Sequence, residues 1–379
     1  MNSYLHIPAS MHRRRFLFQS ASGLVALMAP RAQDSAAPQV PSVNERLRTD
    51  ASEAPLRMQF RGTTDGECRQ WQTSFRSKLV ELLGNPKAPK KWTVVPEAAV
   101  ACDDHTRESM VLTADGMPPL PLYVLRPNGD ASHKRPAILC IHGHGPLGHD
   151  AVAGVADDPE AVAAIAASNY DYARQLARLG FITVAPCLTP FGRRLGDRTP
   201  YGTQDPCAVT FIRMQLLGRV LMGENLRDLL WTLEYMRSRA DIDARSIGCV
   251  GLSYGGRMTM LAAAVDSGIK VAIISGALNV MQERAATHYS CGAQVIPGLL
   301  EVGDVPEIAS LIAPRPSLWE VGSEDTLINP RWADAALERM QRAYKALGAE
   351  ANLQVDRFEG GHRWNGVRAV SLLKSVLGG

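Results

Sequence analysis

No two of the seven cysteines stand three positions apart, so the C-x-x-C pair that builds zinc knuckles and dithiol redox centres is missing. The count is odd, which leaves at least one thiol unpaired within the chain. Cys140 and Cys249 sit inside apolar runs and are expected as buried core thiols, whereas Cys187, Cys207 and Cys291 fall in or near loops. Charge of one sign is also scarce. The formal net charge is +3 over 379 residues, and basic residues are scattered outside one N-terminal cluster, so no nucleic-acid surface is expected. There is no internal repeat and no long low-complexity tract. What remains, 46% apolar and 21% charged, is the composition of an ordinary globular protein.

The basic cluster lies in residues 12–33, HRRRFLFQSASGLVALMAPRAQ. Arg13, Arg14 and Arg15 precede Phe16 and Leu17; a short apolar stretch and small residues follow. These are the parts of an export signal. The R-R-x-F-L spacing is similar to that of twin-arginine signals, which export folded proteins. Residues 1–32 are therefore expected to direct export, to a periplasmic or secreted location. The apolar stretch falls short of the ~20 residues of a membrane span, so no stable span is expected in the mature protein. Residues 33–55, rich in Ala, Pro, Ser and Gln, read as a flexible tether.

Beyond the tether the chain punctuates itself. Residues 65–84 carry apolar positions at helical spacing and end at Gly84. Extended runs follow around 92–95, 107–113 and 120–125. Continuous apolar runs of the kind a buried parallel strand needs occupy 137–142, 181–186, 246–252, 270–276 and 316–322, with a further strand at 353–358. Helical patterns at 170–180, 211–239, 255–265, 330–348 and 364–378 alternate with them. This order predicts an α/β fold with a mostly parallel sheet and helices on both faces. Residues 56–130 form an N-terminal extension with antiparallel edge strands, and 131–379 form the main domain. The stretch 279–305 is long for a connection and is a candidate cap.

The run IGCVGLSYGG, residues 247–256, ends a predicted strand at Ser253 with glycines on both sides. A strand–serine–helix turn of this kind aims Oγ outward at the carboxyl edge of the sheet. A hydroxyl is a weak nucleophile and needs a base. His362, in EGGHRW, follows the last predicted strand. An acid must orient that imidazole; Asp325 follows another strand in VGSEDTLINP, with Glu324 as competitor. The order Ser, Asp, His is that expected of α/β-hydrolases. Backbone amides of Tyr254 and of His144, in IHGHG at 141–145, are the candidate oxyanion donors, with Gly143 as the alternative to His144. His142, His144 and His149 resemble part of a metallohydrolase site, but the aspartate expected two residues after the second histidine is replaced by Pro146. No metal is expected.

On HGHG, GLSYGG, APRPSLWEVGSEDTLINP and EGGHRW, residues 120–379 resemble α/β-hydrolases of the dienelactone hydrolase and acetyl xylan esterase type. The resemblance implies an α/β-hydrolase fold and cofactor-free hydrolysis of a carboxylic ester through an acyl-enzyme, with a small-molecule or carbohydrate ester as substrate. Dienelactone hydrolases use a cysteine nucleophile; Ser253 stands here, which favours an esterase. The G-x-S-Y-G-G pattern also resembles serine peptidases of the prolyl oligopeptidase group. Those carry a propeller of several hundred residues, and fewer than 140 residues precede the first core strand. A non-catalytic binding module is the third alternative. The loop 189–206, TPFGRRLGDRTPYGTQDP, is either a solvated basic loop or part of the substrate site. In the second case Arg193 or Arg194 pairs with substrate carboxylate or hydroxyls, and Phe191 or Tyr201 stacks on a sugar ring.

Overall fold

A computed structural model of the chain describes residues 42–129, 133–156, 158–195, 205–287 and 290–378. The predicted export signal, Arg198 and Tyr201 lie outside the described residues. From Val43 to Gly379 the chain clusters into one compact unit. No helix among the described residues is long and apolar enough to cross a membrane.

Nine strands build one sheet: β1 Thr93–Ala101, β2 His105–Thr113, β3 Leu120–Pro127, β4 Arg135–Ile141, β5 Ile182–Pro186, β6 Ile242–Leu252, β7 Ile269–Ser275, β8 Ser317–Gly322 and β9 Leu353–Phe358. Their spatial order is β1-β2-β3-β5-β4-β6-β7-β8-β9. The pairs from β1 to β5 along this order are antiparallel, and all pairs from β5 to β9 are parallel. The antiparallel strands thus extend the same sheet, as the sequence predicts.

The apolar runs are continuous because both faces are covered. Along β4, Ala137, Leu139 and Ile141 pack into one cluster, and Ile138 and Cys140 into the other. Helices Leu221–Ser238, Tyr254–Val265 and Pro330–Ala346 supply the first layer; Tyr172–Arg178 and Val367–Leu377 supply the second. The predicted helical stretch 211–239 divides into two, Pro206–Leu216 and Leu221–Ser238. Gly218, at φ +65, lies between them.

Of the stretch 33–55 expected as a tether, the described part does not read as one. Val43–Ser52 is helical, and the amides of Leu56, Arg57 and Met58 bond the carbonyls of Leu300, Glu301 and Val302 at 3.3, 3.1 and 2.8 Å. Those partners lie some 240 positions away, so local composition gave no sign of them. The stretch 279–305 is itself partly helical, at Met281–Thr287 and Leu299–Val302.

Candidate active site

Parallel pairing brings the ends of β4, β6, β7, β8 and β9 to one edge of the sheet. β6 lies between β4 and β7, with Gly251 opposite both Ile141 and Ile274. β4 runs on to β5 on one side and β6 lies on the other, so a crevice opens at their carboxyl ends.

Ser253 sits at that point with φ 62 and ψ −121, a positive φ that side-chain-bearing residues seldom adopt. Its amide donates to the Ser275 carbonyl at 2.9 Å, which pins the turn to the end of β7. The flanking glycines are required by space. A Cβ on Gly251 would run into the Gly255 carbonyl, and one on Gly255 into the carbonyls of Ile141 and His142. The helix Tyr254–Val265 starts immediately after Ser253, so the Tyr254 amide has no acceptor one turn back and faces the crevice end of the helix dipole.

His362 Nδ1 pairs with Asp325 Oδ2 at 2.8 Å. The Asp325 carboxylate is almost wholly buried, and its other oxygen accepts the Leu327 amide at 3.0 Å. Glu324, the competitor, is exposed and instead donates its amide to Gly360. The acid loop and the histidine loop are held together: Ser323 donates its amide to Phe358, and a Cβ on Gly322 would run into the Gly360 carbonyl. The buried Glu320 carboxylate adds a second anchor, accepting the amides of Asn365 and Gly366 and the hydroxyl of Ser275. Burial pushes its pKa up.

The imidazole of His362 lies over Gly276, where a Cβ would meet its Cε1 at 2.6 Å, and beside Leu252. Nε2 is buried and has no hydrogen-bond partner among the described residues, Ser253 Oγ included. Catalytic hydrogen bonds are often long without substrate and tighten when it binds.

The loop after β4 closes the other side. Gly143 approaches so near that a Cβ there would stand 3.2 Å from Ser253 Cβ. Its amide is occupied, donating to Tyr170 Oη at 2.5 Å. Of the two oxyanion alternatives, Gly143 therefore has its amide engaged, whereas the His144 amide makes no hydrogen bond among the described residues. Tyr170 escaped the sequence analysis because it reads as one more residue at the start of the 170–180 helix. His142 is buried and neutral: Nδ1 donates to the Gly143 carbonyl at 2.7 Å, and Nε2 accepts the Leu188 amide at 2.9 Å. Burial pulls its pKa down to about 4. Both ring nitrogens being used, His142 has no lone pair for a metal. His149 is stacked on Tyr123, with ring centroids 4.6 Å apart.

In the described part of the loop from 189, both candidate arginines are engaged by groups of the protein. Arg194 is buried, donating to Asp228 Oδ2 at 2.6 Å and to the Cys187 carbonyl at 3.0 Å. Arg193 makes a two-pronged pair with Glu97 on β1, both bonds 2.6 Å. That edge strand is five places from β6 in the sheet, roughly 24 Å at ordinary strand spacing. Both guanidiniums are thus committed to carboxylates of the protein itself. Phe191 is 2% exposed beneath His144 and Tyr254, so no face is open for a sugar ring. Asp228 and Glu97 are distant in sequence, which is why the loop reads as free cations.

A cleft of about 440 Å³ lies beside the loop after β4, lined by His144, Gly145, Pro146, Leu147, Ile165 and Tyr170 among others. Residues of the stretch 279–305 are bonded to neighbours of Ser253 and Asp325: Arg257, one turn into the helix after Ser253, donates to Asn279 and Gln294, and Asn279 and Arg284 donate to the Leu327 carbonyl.

Sheet order, helix layers and the strand-end serine together define an α/β-hydrolase fold. The chain belongs to the Abhydrolase family, whose model matches residues 51–364. It is 28% identical over 296 residues to YtaP of Bacillus subtilis (strain 168), a protein whose name provisionally assigns it to the hydrolases; the match covers 76% of this chain and 92% of YtaP. Among solved structures it resembles a protein from Bacteroides fragilis NCTC 9343 provisionally described as an acetyl xylan esterase. The TM-score is 0.71 at 20% identity, covering 86% of this chain and 84% of that one. It also resembles a glucuronoyl esterase from Solibacter usitatus, with TM-score 0.62 at 15% identity, covering 86% and 97%.

Proposed function

We propose that this protein is a serine esterase that hydrolyses carboxylic esters of carbohydrates through an acyl-enzyme. One observation carries the proposal: Ser253, at positive φ, shares the sheet edge with a His362 whose Nδ1 is held by buried Asp325 and whose Nε2 is unpartnered. Ser253 Oγ attacks the ester carbonyl while His362 Nε2 takes its proton. Asp325 keeps the other ring nitrogen protonated and stabilises the imidazolium. The amides of Tyr254 and His144 receive the developing oxyanion. His362 then returns the proton to the departing alcohol, and water repeats the sequence on the acyl-enzyme. Nothing in these steps calls for a cofactor.

The cleft beside His144 is the space proposed for the substrate, and residues 279–305 are proposed as its cap. Carbohydrate esters are favoured because the relatives named for acetyl xylan and glucuronoyl ester hydrolysis share this fold. Export through the Arg13–Arg14 signal would place the enzyme where such esters occur. The test is a panel of acetylated xylo-oligosaccharides, methyl esters of sugar acids, aryl acetates, lactones and proline-containing peptides. The highest kcat/KM is expected on a sugar ester. Preference for proline peptides over every ester would replace the proposal with the peptidase alternative.

A further inference from the structure

We propose that His144, Cys207 and Cys291 form a binding site for one thiophilic divalent metal ion of the zinc class, beside the candidate active site. One ligand atom from each of the three lies within 4.8 Å of the others, and His144 Nε2 stands 2.9 Å from Cys291 Sγ. An ion with Zn–S of ~2.3 Å and Zn–N of ~2.0–2.1 Å in tetrahedral geometry spaces such atoms ~3.5–3.8 Å apart. The ligand atoms therefore need to shift relative to one another by no more than about an ångström to receive it. One imidazole and two thiols are the donor set that zinc prefers.

The three residues come from separate segments, each fixed by its own contacts. His144, on the loop after β4, has its ring between Phe191 and Tyr254, with centroids 5.2 and 5.1 Å away. Cys207 opens the helix Pro206–Leu216, where Asp205 Oδ1 caps the amides of Cys207 and Ala208 at 2.8 and 3.2 Å. Cys291 precedes Gly292, which packs so closely on Phe211 of that same helix that a Cβ would meet its Cγ at 2.5 Å. Contacts that orient ligands before binding reduce the entropy lost on coordination. Binding releases the thiol protons, so two thiolates neutralise the dication. Three protein ligands leave a tetrahedral ion one position for water or another small ligand. The ion would join the loop after β4 to residues 279–305. The site stands or falls independently of the esterase reaction.

The sequence hides it, since positions 144, 207 and 291 are tens of residues apart and no short spacing marks them. Of the histidine cluster visible in sequence only His144 belongs to it, because His142 has both ring nitrogens occupied and His149 is stacked on Tyr123.

The test uses the full chain, purified with reductant and stripped of metal, titrated with cobalt(II) chloride. A thiolate-to-cobalt charge-transfer band should saturate at one equivalent and disappear when zinc chloride is added. Cys207→Ser and Cys291→Ser should each weaken binding by at least ~100-fold, the upper end of what losing a mere ligand-orienting partner costs, so that the band no longer saturates at one equivalent. Cys102→Ser, at a thiol outside the cluster, should leave the titration unchanged. Circular dichroism checks each variant's fold. In the unaltered protein, zinc should also protect Cys207 and Cys291 selectively from alkylation, which reads the site without any substitution. Absence of the band, a band that still saturates at one equivalent in both serine variants, or alkylation unaffected by zinc would overturn the proposal. So would a Cys207–Cys291 disulfide found by peptide mapping of the protein as isolated.

Discussion

Ser253 holds a conformation that costs roughly 1–3 kcal/mol and persists only where its surroundings over-determine it. Here the Ser275 carbonyl and the two cramped glycines do so. This was legible in sequence because the motif is local: strand, glycine, serine and glycine lie within ten positions. His362 and the pair Asp325 and Glu324 needed only the strand ends that carry them; the choice within that pair stayed open in the sequence, because the two are adjacent and only folding buries Asp325 against His362 and leaves Glu324 exposed. Arg193, Arg194 and Phe191 were not legible, because what settles a long side chain is its partner, and Glu97 and Asp228 are folded in from elsewhere. His142 gives a prediction at this scale. Its ring is buried neutral, with its pKa lowered from 6.5 to about 4. The unfolded chain therefore binds the proton more readily. The stability contribution is fully present above pH 6.5 and is lost as pH falls toward and through about 4, a loss of roughly 3 kcal/mol. In His142→Gln the amide can still donate and accept but does not titrate. Urea midpoints measured from pH 7 to 4 should fall less steeply in that variant. Equal slopes would show that His142 is not the titrating group.

Among elements, all nine strands overlap runs visible in the sequence; for the central ones, such as β5, β7 and β8, the reason is that a strand buried on both faces must be apolar throughout, whereas β1 is exposed along its whole length. The short helices His149–Ala153 and Pro159–Ala167 were missed. The first is five residues long, too short for a periodic signal; the second is rich in alanine, with little contrast between faces. The helix after Ser253 must meet the end of β4 at Gly255, where a Cβ would collide with backbone carbonyls that have little freedom to move. Gly255→Ala should therefore cost about 1–3 kcal/mol or more of stability, as overpacking does, and should lower kcat on an aryl acetate by displacing Ser253. Gly66→Ala, in the helix Asp65–Leu82 with nothing within 4 Å of the added methyl, should be neutral or stabilising by ~0.5–1 kcal/mol. Thermal melts and initial rates on both variants decide it. Equal melting points and rates would mean that this close approach does not constrain the turn.

Over the whole molecule, the segment Leu56–Met58 is tied by backbone bonds to Leu300–Val302, so the chain from Val43 up to β1 is part of the compact unit rather than an appendage. The proposed export signal lies ahead of it. Replacing Arg13 and Arg14 with lysines should leave the folded protein in the cytoplasm, as fractionation and immunoblotting would report. Unchanged export would mean another route. The central proposal, that this edge of the sheet forms an acyl-enzyme on Ser253, is tested most directly by covalent labelling. The purified protein is incubated with a fluorophosphonate and mapped by mass spectrometry, with loss of esterase activity followed in parallel. The predicted result is one adduct per chain, on the peptide containing Ser253, rising in step with inactivation. Ser253→Ala should take up no label and lose ~10⁴-fold or more in kcat/KM on an aryl acetate. Stoichiometric label on another residue, or near-normal turnover by Ser253→Ala, would contradict it.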